Sequence, residues 1–152
     1  MEQLGAEVTH GDETHISGPE NIKPLPKIDM QRMPDAALTL IAMAPLLTTP
    51  IQITGLSSLH HKECDRLECP AKELALMGVE LSTTEDSINI SPANPATLKA
   101  HTLTTYHDHR MAMAFSLLGS MSGTLKVDDK NVVDKTYPRY WEDYATLVAD
   151  PG

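Results

Sequence analysis

Aromatic side chains are scarce in this chain: one Phe, one Trp and four Tyr among 152 residues. Any domain-sized core must therefore be built from aliphatic side chains and from the eight Met. Positive charge is also in the minority, with 12 Lys and Arg against 21 Asp and Glu and a formal net charge of −9. That balance, without any dense basic run, argues against a nucleic-acid surface. Two cysteines, Cys64 and Cys69, are too few for a disulfide scaffold and fit a reducing compartment. No signal peptide opens the sequence. The longest apolar run, residues 36–47, is interrupted by Thr39 and Pro45 and is too short to span a bilayer. The expectation is a soluble, cytoplasmic protein with neither a nucleic-acid nor a membrane partner.

What the chain does have is charge concentrated in two short runs. His60-His61-Lys62-Glu63-Cys64-Asp65-Arg66 precedes one helical pattern, and His107-Asp108-His109-Arg110 opens another. Helix starts offer free backbone N–H groups to anions, and these side chains add acid, base and guanidinium. An acidic chain can bind anions only through such a local cluster held against its global field. The runs read as candidate sites for anionic substrates and proton transfer.

The sequence also repeats itself at a separation near 73 positions, a period too long for a solenoid and suited to duplicated subdomains. Leu4-Gly5-Ala6-Glu7-Val8 lies over Met77-Gly78-Val79-Glu80-Leu81, Asp35 over Asp108, Lys62 over Lys135 and Arg66 over Arg139. Hydrophobic periodicity predicts a strand at 27–30, a helix over 34–46 opened by Pro34, a strand at 51–55 and a helix over 64–77 ended by Gly78. A hairpin follows at 79–82 and 87–90. The second unit starts with a strand at 98–102, a helix over 108–120 and a strand at 124–127. Its last helix opens at Pro138, with Trp141, Tyr144 and Val148 as its buried stripe. The unit is β-α-β-α-β-β, whole at 27–91 and truncated at 98–149, with residues 1–17 as the tail of an earlier unit.

Helices 34–46 and 108–120 are apolar nearly all round, which predicts enclosure on every side. Buried helices with sheets outside make an α/β (α+β) class of inside-out, barrel-like character, here a partial domain. Pro70 sits badly inside a helix over 64–77, where it would cost roughly 3 kcal/mol; that helix either kinks or starts later.

Each candidate also has a plain structural reading. Asp35 is a first-turn carboxylate favoured by the helix dipole, or a base facing a cleft. Lys62, Glu63 and Arg66 are a surface ion-pair ladder, or ligands for an anion. His60, His61, Cys64, Cys69, His107 and His109 invite a metal, but Cys64 and Cys69 lack zinc-site spacing, and no metal or other cofactor is expected. Lys135 precedes the last helix and could reach the same cleft as Lys62.

Four segments in order carry a family resemblance. They are Asp29-Met30 with Met33-Pro34-Asp35-Ala36-Ala37-Leu38-Thr39, Lys62-Glu63-Cys64-Asp65-Arg66-Leu67, Tyr106-His107-Asp108-His109-Arg110-Met111-Ala112-Met113, and Lys135-Thr136-Tyr137-Pro138. Together they resemble the 5-enolpyruvylshikimate-3-phosphate synthase family, over essentially the whole chain. Family members are nearly three times longer and have two domains, each of three β-α-β-α-β-β units around buried helices. The resemblance implies that this chain is about two-thirds of the second domain, and that its partner is the missing N-terminal portion.

The reaction so implied moves an enolpyruvyl group from phosphoenolpyruvate to the 5-hydroxyl of shikimate 3-phosphate and releases phosphate. Phosphate leaves from a tetrahedral intermediate. By motif, Asp35 would contact the sugar hydroxyl as a base, while Glu63 and Lys135 handle proton transfer at the enolpyruvyl carbon. Arg66 and Arg110 would clamp the carboxylate and phosphate of phosphoenolpyruvate. Lys62 would reach the shikimate side, and His109 would line the phosphoenolpyruvate pocket. Three positions depart from the family pattern. Ser58 stands where Asn often contacts shikimate 3-phosphate, His60 where many relatives carry Arg, and Pro70 interrupts a helix. Glyphosate mimics phosphoenolpyruvate in this family. Two alternatives remain: a non-catalytic, anion-binding or partner-complementing fragment, and the related UDP-N-acetylglucosamine enolpyruvyl transferase of cell-wall synthesis.

Overall fold

Ile51 and Ile53 alternate with Gln52 and Thr54, and the strand they form buries both isoleucines and leaves the polar pair half-exposed. The computed structural model describes residues 2–123 and 125–149. In chain order the elements are β1 (Glu7–His10), β2 (Thr14–Ser17), β3 (Lys27–Asp29), α1 (Pro34–Met43), β4 (Ile51–Thr54), α2 (Glu68–Leu76), β5 (Leu81–Thr83), β6 (Ser87–Ile90), β7 (His101–Leu103), α3 (His109–Ser122), β8 (Leu125–Val127) and α4 (Tyr140–Ala149). Thr124, expected to open the last strand, and Met1, at the head of the opening tail, lie outside the described residues.

β1 and β2 form a separate antiparallel hairpin. The main sheet has the order β3-β4-β6-β5, with β3 and β4 parallel and the other pairs antiparallel. β7 and β8 make a second parallel pair. The β-α-β step therefore occurs twice, once through α1 and once through α3. α1 and α3 pack against each other. Ala37, Leu38, Ile41 and Ala42 of the first helix, with Met111, Ala114, Phe115 and Leu118 of the second, join Ile51, Ile53, Ile88 and Ile90 from the sheet in one core. Phe115 is the one aromatic among the largest fully buried side chains, so that core is aliphatic, as composition requires. Helices lie inward and the sheet faces outward.

Four expectations need correction. α1 and α3 are not enclosed on every side: Ala36 and Thr39 are exposed, and Met121 is 65% exposed. α2 starts at Glu68 rather than at 64, which puts Pro70 in its first turn, where backbone N–H groups lack intrahelical acceptors. The last helix starts at Tyr140, and Val148 is 46% exposed, so Trp141, Tyr144 and Val148 form no buried stripe. Hydroxyl groups attach that helix instead: Tyr144 donates to the Ser116 carbonyl at 2.8 Å and Tyr140 to that of Met113 at 3.1 Å. Arg139, which the repeat aligns with Arg66, is exposed and pairs with Glu142 and Asp143. Among the described residues no helix is long and apolar enough to cross a membrane.

Candidate functional site

All four connections that leave the carboxyl ends of β3, β4, β7 and β8 carry charged candidates, and ligands of parallel α/β layers bind at that end. β3 feeds α1, whose first turn holds Asp35. β4 is followed by Gly55, whose φ of +78° turns the chain against Asp29; a Cβ there would meet Asp29 Oδ1 at 2.4 Å and Gln31 N at 2.6 Å. From Gly55 the chain runs through the 3-10 turn Ser57–His61 to Lys62, Glu63 and Arg66, and Asp65 then accepts the backbone N–H groups of Leu67 and Glu68 ahead of α2. β7 leads through a tight turn to Asp108, which caps α3 by accepting the Arg110 N–H at 2.9 Å. β8 leads to the 3-10 turn Asn131–Lys135, which ends on Lys135.

These segments meet on Arg66. Its guanidinium is almost wholly buried and contacts three carboxylates: Asp108 from Nε at 2.7 Å and from Nη2 at 3.2 Å, Asp35 from Nη1 at 2.9 Å, and Glu63 from Nη2 at 2.6 Å. Lys62 reaches Asp35 at 3.3 Å and Lys135 reaches Glu63 at 3.3 Å. Arg110 stands 3.9 Å from the other Asp35 oxygen. Four cations thus interleave with three carboxylates. Cys64 donates its thiol proton to Asp108 at 3.5 Å, and burial pushes that thiol far above its usual range, so it remains protonated.

The network fixes the charge state of its acids. Burial alone would raise the Asp108 carboxyl, but the Arg66 hydrogen bonds and the Arg110 N–H hold it below the ordinary carboxylate range. Asp35 is likewise pushed up by desolvation and brought below its usual value by Lys62, Arg110 and Arg66 together. Glu63 is lowered by its own backbone N–H, by Arg66 and by Lys135. His109 moves the opposite way from a charged partner: burial, with Arg110 and Arg66 nearby, lowers it despite Asp108 at 3.8 Å, so its imidazole is neutral at pH 7. The site at neutral pH thus offers two ionised, solvent-reachable carboxylates (Asp35 and Glu63), ammonium and guanidinium donors, and a neutral imidazole.

A family model for EPSP synthase (3-phosphoshikimate 1-carboxyvinyltransferase) matches residues 1–144. The chain belongs to the EPSP synthase family. Curated relatives named 3-phosphoshikimate 1-carboxyvinyltransferase include one from Trichormus variabilis, 33% identical over 151 residues, and one from Yersinia pseudotuberculosis, 37% identical over 147 residues. Both alignments cover 97% of this chain and 34% of the relative, so the chain spans about a third of their length. Among solved structures, EPSP synthase from Acinetobacter baumannii superposes with a TM-score of 0.77 at 25% identity, over 97% of this chain and 37% of that one. The enolpyruvyl transferase NikO from Streptomyces tendae, at 18% identity and a TM-score of 0.65, covers 96% of this chain and 33% of its own and shows the shared fold alone.

Of the residues singled out by resemblance to the EPSP synthase family, Asp35, Lys62, Glu63, Arg66, Arg110 and Lys135 converge in one network, and His109 borders it. Ser58 does not join them: it is exposed in the turn Ser57–His61, and the adjacent Ser57 N–H is the group held there, by Asp86 at 2.8 Å. Among the described residues no three His, Cys, Asp or Glu side chains are grouped so as to hold a metal. Two residues escaped sequence reasoning. Asp108 was visible in a charged run, at the helix start and as the repeat counterpart of Asp35, but its twin role as helix cap and Arg66 partner was not. Glu73, buried on α2, accepts the Tyr106 hydroxyl at 2.7 Å and the Thr104 N–H at 3.1 Å and pairs with His101 at 2.6 Å. Its signal was its register: Glu73 shares a helical stripe with Pro70 and Met77, an acid on an apolar face.

Proposed function

We propose that this chain forms one wall of a site that transfers the enolpyruvyl group of phosphoenolpyruvate to the 5-hydroxyl of shikimate 3-phosphate, releasing phosphate. The observation that carries the reading is the convergence of Asp35, Lys62, Glu63, Arg66, Arg110 and Lys135 from four strand ends. Both substrates are polyanions, and Lys62, Arg110 and Lys135 are the cations that an anion could draw away from Asp35 and Glu63. Arg110, 43% exposed, suits the carboxylate or phosphate of phosphoenolpyruvate, since a planar guanidinium matches both. Arg66 could reach an anion only where the anion displaces Asp35 or Glu63 from it. His109, neutral and next to Arg110, lines that side. Asp35, ionised, is suited to accept the proton of the attacking hydroxyl. Lys135 and Glu63 face each other at 3.3 Å, an acid and a base able to exchange the proton that the enolpyruvyl carbon gains and loses.

The other ligands come, on this reading, from the portion of the relatives that the chain does not span. Division into a whole unit at 27–91, a truncated unit at 98–149 and a tail at 1–17 belongs to the same proposal and is supported by the two parallel strand pairs around α1 and α3. Cytoplasmic residence fits the two free thiols. Glyphosate would compete at the Arg66, Arg110 and Lys135 side.

Phosphate release from the two substrates tests the proposal. The 152-residue chain alone is expected to turn over neither, because one wall cannot enclose the substrates. Joined to the portion of the Yersinia pseudotuberculosis relative that it does not span, it should gain activity, and Glu63→Gln or Lys135→Ala should then lower kcat by about 10²–10⁴. A folded, joined protein without activity, or one indifferent to both substitutions, would sink the reading.

A further inference from the structure

One histidine outside the reacting set is held in a way that fixes its protonation. His60 lies in the turn Ser57–His61, two residues ahead of Lys62. Its Nδ1 is 2.7 Å from Asp65 Oδ2 and its Nε2 is 2.9 Å from the Glu85 carbonyl oxygen. A peptide carbonyl only accepts. The Asp65 carboxyl, pushed up by burial, is brought below its usual value by the Glu68 N–H, by His60 and by the Leu67 N–H, so it too is an acceptor. Neutral imidazole has a single N–H and would turn a lone pair onto one of these two oxygens. Only the imidazolium makes both hydrogen bonds.

One anchor, Asp65, lies on the segment that carries the site, and the other, Glu85, on a neighbouring turn. Asp65 caps the start of α2 with its other oxygen, at 3.0 Å from Leu67 N and 2.9 Å from Glu68 N. Glu85 lies in the turn between β5 and β6, next to Asp86, whose carboxylate holds Gly55 N at 3.3 Å and Ser57 N at 2.8 Å. His60 therefore ties that turn to the helix cap across the chain bearing Lys62, Glu63 and Arg66. We propose that His60, as an imidazolium, is a positioning residue that keeps Lys62 and Glu63 in place for the reaction, and that the segment loosens when His60 loses its proton. The proposal rests on reading that segment as part of an enolpyruvyl-transfer site.

The charged groups facing His60 all favour its proton. Asp65 and Glu68 face it from the start of α2, and from the β5–β6 side it meets the Glu85 carbonyl, with the Asp86 carboxylate committed to backbone N–H groups. The Asp65 hydrogen bond and then the Glu85 carbonyl raise its pKa, desolvation opposes them, and the charges of Asp65 and Glu68 add to the rise. A raised histidine pKa stabilises the fold fully below the ordinary value of about 6.5. That contribution is lost as pH rises through the folded-state value, so the tie opens on the alkaline side.

Histidine-selective 15N NMR on the 152-residue chain reads ring protonation directly. His60 should show two protonated ring nitrogens at pH 6.5 and titrate above about 6.5, and the backbone amides of Lys62 and Glu63 should move with the same midpoint. In His60→Arg, where a guanidinium keeps several donors at every pH, that movement should vanish. In His60→Gln the two amides should hold their alkaline positions throughout. If the arginine variant does not fold, the wild-type titration and the glutamine variant decide. A His60 midpoint at or below about 6.5, or Lys62 and Glu63 amides that ignore it, overturns the proposal. These readouts need no turnover, so an inactive joined protein counts against the enzymatic reading and leaves this test intact. In an active one, kcat/KM should fall above the His60 midpoint in the wild type and lose that limb in His60→Arg; an identical limb in both overturns the positioning role.

Discussion

Arg66 is where three carboxylates meet, and Asp108 is the one of the three with no access to solvent. The Asp108 side chain is fully buried and that of Arg66 is 3% exposed, so neither charge has water as an alternative partner. Removing one member of a buried pair typically costs about 3–5 kcal/mol, and because Arg66 keeps Asp35 and Glu63 the loss of Asp108 belongs at the lower end of that range. Asp108→Ala also removes the cap of α3, worth roughly 1 kcal/mol more. Lys62→Ala breaks a pair that is 30% and 45% exposed and should cost less than about 1 kcal/mol. Urea unfolding of the two variants should separate them by several-fold in lost stability, and equal losses would show that Asp108 does not anchor the site. At this scale the residue types were legible and their ranking was not. Charge runs reveal which groups are near one another in sequence, whereas burial, which makes Asp108 dominant, depends on how α1, α3 and the 62–66 segment pack.

The turn from β7 into α3 shows what elements hide from a sequence. Asp108 N bonds the Thr105 carbonyl at 2.9 Å, and the two central residues, Tyr106 and His107, have φ of 53° and 58°. Two successive left-handed residues make a turn that favours Asn and Gly, and each other residue there costs roughly 1–2 kcal/mol. Glu73 maintains it by holding the Tyr106 hydroxyl and the Thr104 N–H, and Asp128 by holding Thr105 N at 3.0 Å. The turn delivers Asp108 to its hydrogen bonds with Arg66. His107 is exposed and stands outside the ion-pair network around Arg66, so His107→Gly relieves its share of the strain. Allowing for the extra freedom of the unfolded glycine, stability should rise by up to about 1 kcal/mol, read as a higher urea midpoint with an unchanged slope. A lower midpoint would mean that the left-handed conformation costs His107 nothing. The helices and strands themselves were legible because their apolar periods are strong. The start of α2 was misplaced because Asp65 caps from outside the apolar stripe, and α4 was misread because its tyrosines attach through hydroxyl groups.

Over the whole molecule the charge of −9 is unevenly used. Asp35, Asp65, Asp86, Asp108 and Asp128 all have pKa values below the ordinary one, each through hydrogen bonds or cations that exist only in the fold. A depressed carboxyl stabilises the fold above the unfolded-state value near 3.8 and gives that up as pH falls through the folded-state value. The fold class was readable from the sequence, but this division of labour among acids was not, because it rests on which of them meet backbone N–H groups or Arg66. Near neutrality two histidines act in opposition. His60, raised by Asp65, adds stability as pH falls, whereas His109, lowered by burial, subtracts it as pH falls through about 6.5 because the unfolded chain takes the proton more readily. Relief of the net charge on approaching the pI near 5.1 favours the fold slightly, but it is spread over an exposed surface and screened by salt. Urea midpoints measured from pH 9 to 3 should therefore change little between 8 and 6 and drop steeply below about 4, where five aspartates lose their advantage together. Asp86→Asn should remove part of the acid limb and leave the neutral region untouched, while His60→Gln should tilt the neutral region and leave the acid limb unchanged. A stability that holds flat from pH 5 to 3 would contradict the assignment of these carboxylates as anchors of the fold.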